Sequence, residues 1–100
     1  MISGWRSSAK RRGHVWNLTK AQLDTQFNSQ AGICALSGKS MVSDKRSPFR
    51  YSLDRIDSSR GYCCDNIQFV CSAVNVMKNK LDEVVFVDFC HAISKLASTP

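Results

Sequence analysis

The segment from Tyr51 to Leu81 is the part of this 100-residue chain that most constrains its fold. Two short runs of β-forming residues, 51–56 and 67–70, flank the polar stretch SSRGYCCDN. From Val74 onward, apolar residues recur at helical spacing. This order predicts two short strands joined by a loop and followed by a helix, which is an α+β fold.

Helical patterns lie on both sides of this unit. The pattern over residues 3–12 predicts a short basic helix. Thr19 is the expected N-cap of a second helix over about 20–30. Asp82 predicts the N-cap of a final helix. The run VVFV at 84–87 is equally compatible with a strand, but the continuation FCHAISKL favours a helix. The apolar side chains of this helix are expected to face inward, namely Val85, Phe86, Phe89, Ile93 and Leu96.

The length predicts a single domain over 1–100. We expect a basic helical part at 1–32, a central unit at about 50–80 and a C-terminal helix at about 82–97. Residues 1–50 carry nine Lys/Arg against two acids, and residues 51–100 carry five against six. This asymmetry is typical of a chain whose basic half binds a polyanion, although a merely soluble basic protein is the alternative.

Several classes of protein are disfavoured by the composition. The chain opens without the apolar run of about seven residues that a signal peptide needs, and it has no run of about 18 apolar residues for a membrane helix. Five cysteines are an odd number, so we expect reduced thiols in a cytosol-like compartment. We therefore expect a cytoplasmic protein that is neither secreted nor bound to a membrane.

The stretch SLDRID, residues 52–57, combines two chemistries. Asp54 and Asp57 are carboxylates, which suit a hard metal ion, and Arg55 between them suits a phosphate. Phosphodiester cleavage needs both, because the developing negative charge must be stabilised while a water molecule attacks.

Four pieces of the sequence resemble the HNH nucleases of the His-Me finger (ββα-metal) superfamily. They are LDRI (53–56), RGY (60–62), DNIQFV (65–70) and NVMK (75–78), within a matching segment over 34–78. The flanking AKRRGHVWNLT and LDEVVFVDFCHAI look like small phage and bacterial HNH proteins. The resemblance implies a ββα-metal finger between N-terminal and C-terminal helices, in a metal-dependent DNA endonuclease or nickase.

The resemblance also implies roles for individual residues. Asp54 and Asn75 would hold Mg²⁺ or another divalent cation such as Mn²⁺, and Asn66 would brace the loop. Trp5 and Trp16 could stack on bases, but a core position is favoured for both. The residues expected to bind nucleic acid are Arg6, Lys10, Arg11, Arg12, Arg60 and Lys78.

Arg55 is where this sequence departs from the family, which has its general-base histidine at that position. An arginine cannot accept a proton, but it can clamp a phosphate. The proton acceptor would then be Asp57, a hydroxide on the metal ion or, more remotely, Tyr62. The two histidines, His14 and His91, are expected to be packed or at a solvent edge.

Loss of the usual base leaves two further interpretations open. One is a catalytically weak or inactive DNA-binding module on the same scaffold, and the other is a protein-interaction adaptor. Structural zinc is not expected, because Ser37 and Val74 stand where two of four thiolates would be needed beside Cys34 and Cys71. Apolar packing is expected there instead, from Leu36, Val70 and Val74.

Overall fold

The computed structural model describes the backbone of residues 2–98 and the side chains from residue 4 onward. The ends of the expected domain, at 1 and 100, lie outside the described residues. Within them the order of elements is α1 (Ile2–Arg11), β1 (Trp16–Asn17), α2 (Lys20–Ser29), β2 (Tyr51–Arg55), β3 (Tyr62–Cys63), β4 (Ile67–Cys71), α3 (Ser72–Lys78) and α4 (Glu83–Ala97). The α+β class predicted from the sequence is confirmed.

The central unit consists of β2, β4 and α3. The two strands are antiparallel, with Tyr51 opposite Cys71 and Arg55 opposite Ile67. Every residue of β4 is buried, because this strand contacts both α2 and α3. α3 begins directly after β4, so the helix returns along β2 and brings its polar residues to the strand that carries Asp54.

α2 begins where the sequence predicts. Thr19 accepts a hydrogen bond from the Gln22 amide at 3.2 Å, and the Gln22 side chain accepts one from the Thr19 amide at 2.9 Å. This reciprocal pair is a capping box, which satisfies two amides that the first turn leaves free. Leu18 and Leu23 on either side of the cap are both buried.

The described core has two clusters. The larger one consists of Ala9, Leu18, Leu23, Leu53, Tyr62, Ile67 and Phe69. Trp5 and Trp16 pack against it, as expected for core tryptophans. In the smaller cluster Cys34 and Cys71 lie with Val70, and the expected Leu36 and Val74 pack against them.

α4 corrects one prediction. Phe86 is buried, but Val85, Phe89, Ile93 and Leu96 are exposed. The expectation that these four face inward is wrong, because helical spacing defines an apolar face without defining what it packs against. None of the described helices is long and apolar enough to cross a lipid bilayer.

A short parallel pair between β1 and β3 was not predicted. Trp16 lies opposite Tyr62, and the Tyr62 amide donates to the Val15 carbonyl at 2.8 Å. Gly61 permits this approach, because a Cβ there would lie 2.8 Å from Val15 Cβ. The pairing holds the chain that follows α1 against the loop between β2 and β3.

Candidate active site

A polar cavity of about 70 Å³ lies beside the end of β2. It joins residues of β2 and α3 with residues that follow α1 and that begin β3. A larger cavity of about 330 Å³, lined by side chains such as Trp5 and Phe27, contains none of the predicted catalytic or metal-binding residues. The residues that line the polar cavity are Arg12, Leu53, Asp54, Arg55, Ser58, Tyr62, Asn75 and Asn79.

Asp54 is buried, with 5% of its surface exposed. Its Oδ2 accepts hydrogen bonds from Lys78 Nζ at 2.7 Å and from Gln68 Nε2 at 2.9 Å. Gln68 is held in turn by Glu83, whose Oε1 accepts from the same amide nitrogen at 2.8 Å. No described residue donates to Oδ1 of Asp54, so this oxygen is the one open to a ligand in the cavity.

Lys78 corrects another prediction. The sequence predicts that it contacts a DNA phosphate, but its exposed fraction is 0%. Its Nζ donates to Asp54 Oδ2 and to the Arg55 carbonyl, each at 2.7 Å, and lies 3.5 Å from the Ile56 carbonyl. A buried carboxylate needs a partner of opposite charge, and Lys78 meets that need for Asp54. Lys78 therefore positions Asp54 and cannot reach DNA.

Asn75 lines the cavity from α3. Its Nδ2 donates to Ser52 Oγ at 2.7 Å and to the Leu53 carbonyl at 3.2 Å. These bonds orient the amide and leave its oxygen for a ligand. Carboxylate and amide oxygens are donors that Mg²⁺ and Mn²⁺ accept, so Asp54 and Asn75 fit a divalent cation that keeps several water ligands.

Arg55 lines the cavity next to Asp54. Its Nη1 donates to the carbonyls of Ser58 at 2.8 Å and Arg60 at 2.9 Å, and its guanidinium carbon lies 5.5 Å from the centre of the Tyr62 ring. The bonds to described residues use Nη1, so the other N–H groups are available to an anion.

His14 lies beside Arg55, a position that the sequence did not predict. Its Nδ1 is 3.4 Å from Arg55 Nη1, and its ring meets the Tyr62 ring edge-on at 6.3 Å. The two hydrogens of Arg55 Nη1 are directed to the Ser58 and Arg60 carbonyls, so the approach to His14 Nδ1 is a polar contact and not a third full hydrogen bond. Partial burial lowers the pKa of His14 below 6.5, and the positive charges of Arg55, Arg12 and Lys80 lower it further.

The signal for His14 in the sequence is weak, because its contact with Arg55 spans 41 residues. The β1–β3 pair, which the sequence did not predict, holds the segment after α1 against Tyr62 and so places His14 near Arg55. His14 is not among the residues that line the cavity. Tyr62 does line it, and its hydroxyl accepts a hydrogen bond from Arg12 Nη2 at 3.2 Å.

Asp57 is absent from the residues that line the cavity. Its Oδ1 accepts bonds from the Ser59 hydroxyl at 2.6 Å and the Ser59 amide at 2.9 Å. These bonds lower the pKa of Asp57, and the charges of Arg60 and Arg55 lower it further. A carboxylate that closes a turn and has a lowered pKa is a poor general base, so the structure argues against the catalytic or metal-binding role expected for Asp57.

Asn66 makes the contacts expected of a residue that braces the loop. It is buried, its Oδ1 accepts from the Asp57 amide at 2.8 Å, and its Nδ2 donates to the carbonyls of Asp57 at 3.1 Å and Gly61 at 2.8 Å. It is not among the cavity residues, so its part is structural.

The basic residues expected to bind nucleic acid fall into two groups. Arg6, Lys10 and Arg11 are exposed on α1, which leads to Arg12 at the cavity. Arg60 is different, because its Nη2 contacts both carboxylate oxygens of Asp65 at 2.9 and 3.0 Å. Exposed pairs of this kind are weak, so the pair does not prevent Arg60 from contacting DNA.

Comparison with known proteins finds a relative in sequence and a similar solved structure. No family model matches the chain. An uncharacterized protein of Acanthamoeba polyphaga mimivirus is 29% identical over 90 residues, which are 90% of this chain and 16% of that protein. The chain thus spans about one sixth of the length of this relative.

The match in structure is to the rare-cutting HNH restriction endonuclease PacI, which was described for its mechanism of DNA perturbation. The TM-score is 0.70 at 24% sequence identity, and the match covers 95% of this chain and 75% of that chain. Both this match and the antiparallel β2–β4 pair followed by α3 show that the chain has an HNH-type fold.

Proposed function

We propose that this chain hydrolyses phosphodiester bonds in DNA as a metal-dependent endonuclease or nickase. One observation carries the proposal: a single polar cavity is lined by two oxygen donors, Asp54 and Asn75, and by two arginines, Arg12 and Arg55. Oxygen donors for a cation and arginines for an anion meet at one place, as cleavage of a phosphodiester requires.

Asp54 and Asn75 would hold Mg²⁺ or Mn²⁺, which would supply positive charge to the scissile phosphate and its leaving oxygen. Lys78 and Gln68 keep the Asp54 carboxylate in one orientation, and Ser52 does the same for the Asn75 amide. Hydrogen bonds that orient the side chains of metal ligands are typical of metal sites.

Arg55 and Arg12 would bind the phosphate. A guanidinium group is a cation with several N–H donors, so the two side chains would stabilise the negative charge that grows in the transition state. The carbonyls of Ser58 and Arg60 hold Nη1 of Arg55, which limits the loss of side-chain entropy on binding.

His14 would accept the proton of the attacking water. Its lowered pKa keeps the imidazole neutral at neutral pH, which a general base requires. A phosphate bound to Arg55 would offset part of its positive charge. Arg55 would then disfavour the protonated form of His14 less strongly. Tyr62 lines the cavity itself, whereas His14 would reach the attacking water from beside Arg55. A phenol must first lose its own proton before it can act as a base, so Tyr62 is the second candidate.

The exposed bases of α1 would contact the DNA backbone on the way to the cavity. Arg6, Lys10 and Arg11 are exposed on α1, and contacts from such side chains to phosphates would position the duplex without choosing a sequence. If one of these side chains neutralises one phosphate, its replacement by glutamine should reduce the slope of log K against log salt by about 0.9.

The test uses supercoiled plasmid, purified protein and Mg²⁺, with EDTA as the blank. We expect Mg²⁺-dependent nicking that falls by about 100-fold or more in Asp54→Asn and in Asn75→Ala. Asp24→Asn is the matched control, because Asp24 pairs with Lys20 on the surface of α2 and should leave nicking unchanged. Circular dichroism of each variant checks that it is folded.

Three other outcomes separate the alternatives. DNA retardation without nicking by the wild type would favour a non-catalytic DNA-binding module. If the protein does not retard DNA at low salt, both nucleic-acid functions are excluded, and the protein-interaction adaptor is the remaining interpretation. Nicking that survives Asp54→Asn at full rate would show that this cavity is not the active site.

A further inference from the structure

α4 carries a continuous apolar stripe on its exposed surface. Val85, Phe89, Ile93 and Leu96 are 42%, 58%, 65% and 76% exposed. A large apolar side chain presents roughly 150–200 Å² when fully exposed, so the stripe leaves about 400 Å² of apolar surface uncovered on each chain. Contiguous patches of this size on soluble proteins mark interaction sites.

The rest of the described chain does not cover this stripe. Phe86 is the buried residue of α4, and the two core clusters are built without α4. The molecule is elongated, with extents of 48 × 27 × 23 Å. α4 is thus attached to the domain near its first turns, while most of its apolar side remains open.

The geometry of the stripe points to a second copy of this chain, and we propose that two copies associate through antiparallel α4 helices. Val85, Phe89, Ala92 and Leu96 follow the alternating spacing of four and three residues that forms a two-helix seam. In an antiparallel pair centred between residues 90 and 91, Phe89 faces Ala92 of the second copy and Val85 faces Leu96. A large side chain therefore meets a small one, whereas a parallel pair would set Phe89 against Phe89.

The charges that flank the seam agree with this orientation. Asp88 and Lys95 each precede a seam residue, so both lie along the same edge of α4. An antiparallel copy brings each Asp88 near Lys95 of the other chain, whereas in a parallel copy this edge would face the opposite edge of the partner helix, which carries Phe86 and Ile93 and offers no opposite charge. Exposed ion pairs contribute little free energy, so these charges select the orientation while the apolar contact supplies the affinity.

The same surface does not suit DNA. Glu83–Ala97 contains two acids and one lysine, so it offers no positive field to a polyanion. Two stripes would bury about 800 Å² of apolar surface, and the flanking helix surface raises the total to about 1,200 Å². That total is at the low end for specific interfaces, and we expect a dissociation constant on the order of 10 µM.

Sedimentation velocity without DNA or metal tests this inference separately from the proposed activity. We expect a monomer at about 1 µM and a dimer at about 200 µM. Phe89→Glu should leave a folded monomer throughout this range, because it changes an exposed side chain. Val87→Glu is the matched control on the opposite side of α4, where the native side chain is 49% exposed, and it should still dimerise.

Charge reversal tests the antiparallel arrangement. Asp88→Lys and Lys95→Asp should each weaken self-association by about tenfold, and an equimolar mixture of the two variants should restore it, because every flanking pair is then of opposite sign. A wild type that stays monomeric at the highest concentration would overturn the inference. So would equal effects of the changes at 87 and 89, or a mixture that associates no better than its parts.

Discussion

Replacing Lys78 by methionine removes the positive charge that lies against Asp54 beside the cavity. The two charged atoms are 2.7 Å apart, and the side chains are 1% and 5% exposed. Methionine keeps much of the apolar volume of lysine, so the main change is electrostatic. Breaking a buried ion pair by removing one partner costs about 3–5 kcal/mol, because the other charge stays buried without compensation. Domains of this size have about 5–15 kcal/mol of stability in total.

Urea unfolding at neutral pH, followed by tryptophan fluorescence, measures this destabilisation. With a slope of about 2 kcal/mol per molar urea, the midpoint should fall by about 2 M. Lys20→Met is the matched control, since Lys20 and Asp24 are 2.9 Å apart but 77% and 56% exposed. That change should cost only about 0–1 kcal/mol. Equal midpoints for the two variants would refute the reasoning.

A double variant identifies the cause of the destabilisation. Adding Asp54→Asn to Lys78→Met removes the isolated charge, so we expect the double variant to be more stable than the single one. It also provides a measurable protein if the single variant is unfolded without urea. No recovery would mean that packing around Lys78, instead of the charge, accounts for the effect.

Further substitutions and a pH profile test other parts of the structure. Gly61→Ala should cost about 1–3 kcal/mol in urea unfolding and reduce nicking, because its Cβ would lie 2.8 Å from Val15 Cβ and separate the β1–β3 pair. Thr19→Ala should cost about 1 kcal/mol in the same assay through loss of the capping box. The lowered pKa of His14 means that protonation abolishes nicking only below pH 6.5, so the rate should rise with pH up to about that value and then stay level. His14→Ala should lower the rate at pH 7 by about 100-fold while His91→Ala leaves it unchanged, and a rate that keeps rising well above neutral pH would contradict the assignment of His14 as the base.

Local patterns in the sequence account for most of the elements. Apolar periodicity predicts α3 and α4, and the residues around Thr19 predict the start of α2. The central unit is predictable because β2, β4 and α3 are close in sequence and each has its own periodicity. Asp54 and Asn75 could be singled out for the same reason, since the strand and helix that carry them belong to one compact unit.

Contacts between distant segments could not be predicted. β1 and β3 contain two residues each, which is too short for a periodic signal, yet Arg12 at the cavity and His14 beside Arg55 lie next to this pair. Lys78 shows a second limit, because a lysine one turn after Asn75 looks exposed until the carboxylate beside it is known to be buried.

By itself, the sequence determined the α+β class, the strand–loop–strand–helix unit and the oxygen donors of the cavity, because hydrophobic period and capping act over a few residues. Only the tertiary structure decided that Lys78 is buried against Asp54, that His14 lies beside Arg55, and that the apolar side of α4 remains exposed. These outcomes depend on contacts between residues that are far apart in the chain. Burial and charge compensation follow from those contacts, so no short stretch of sequence encodes them.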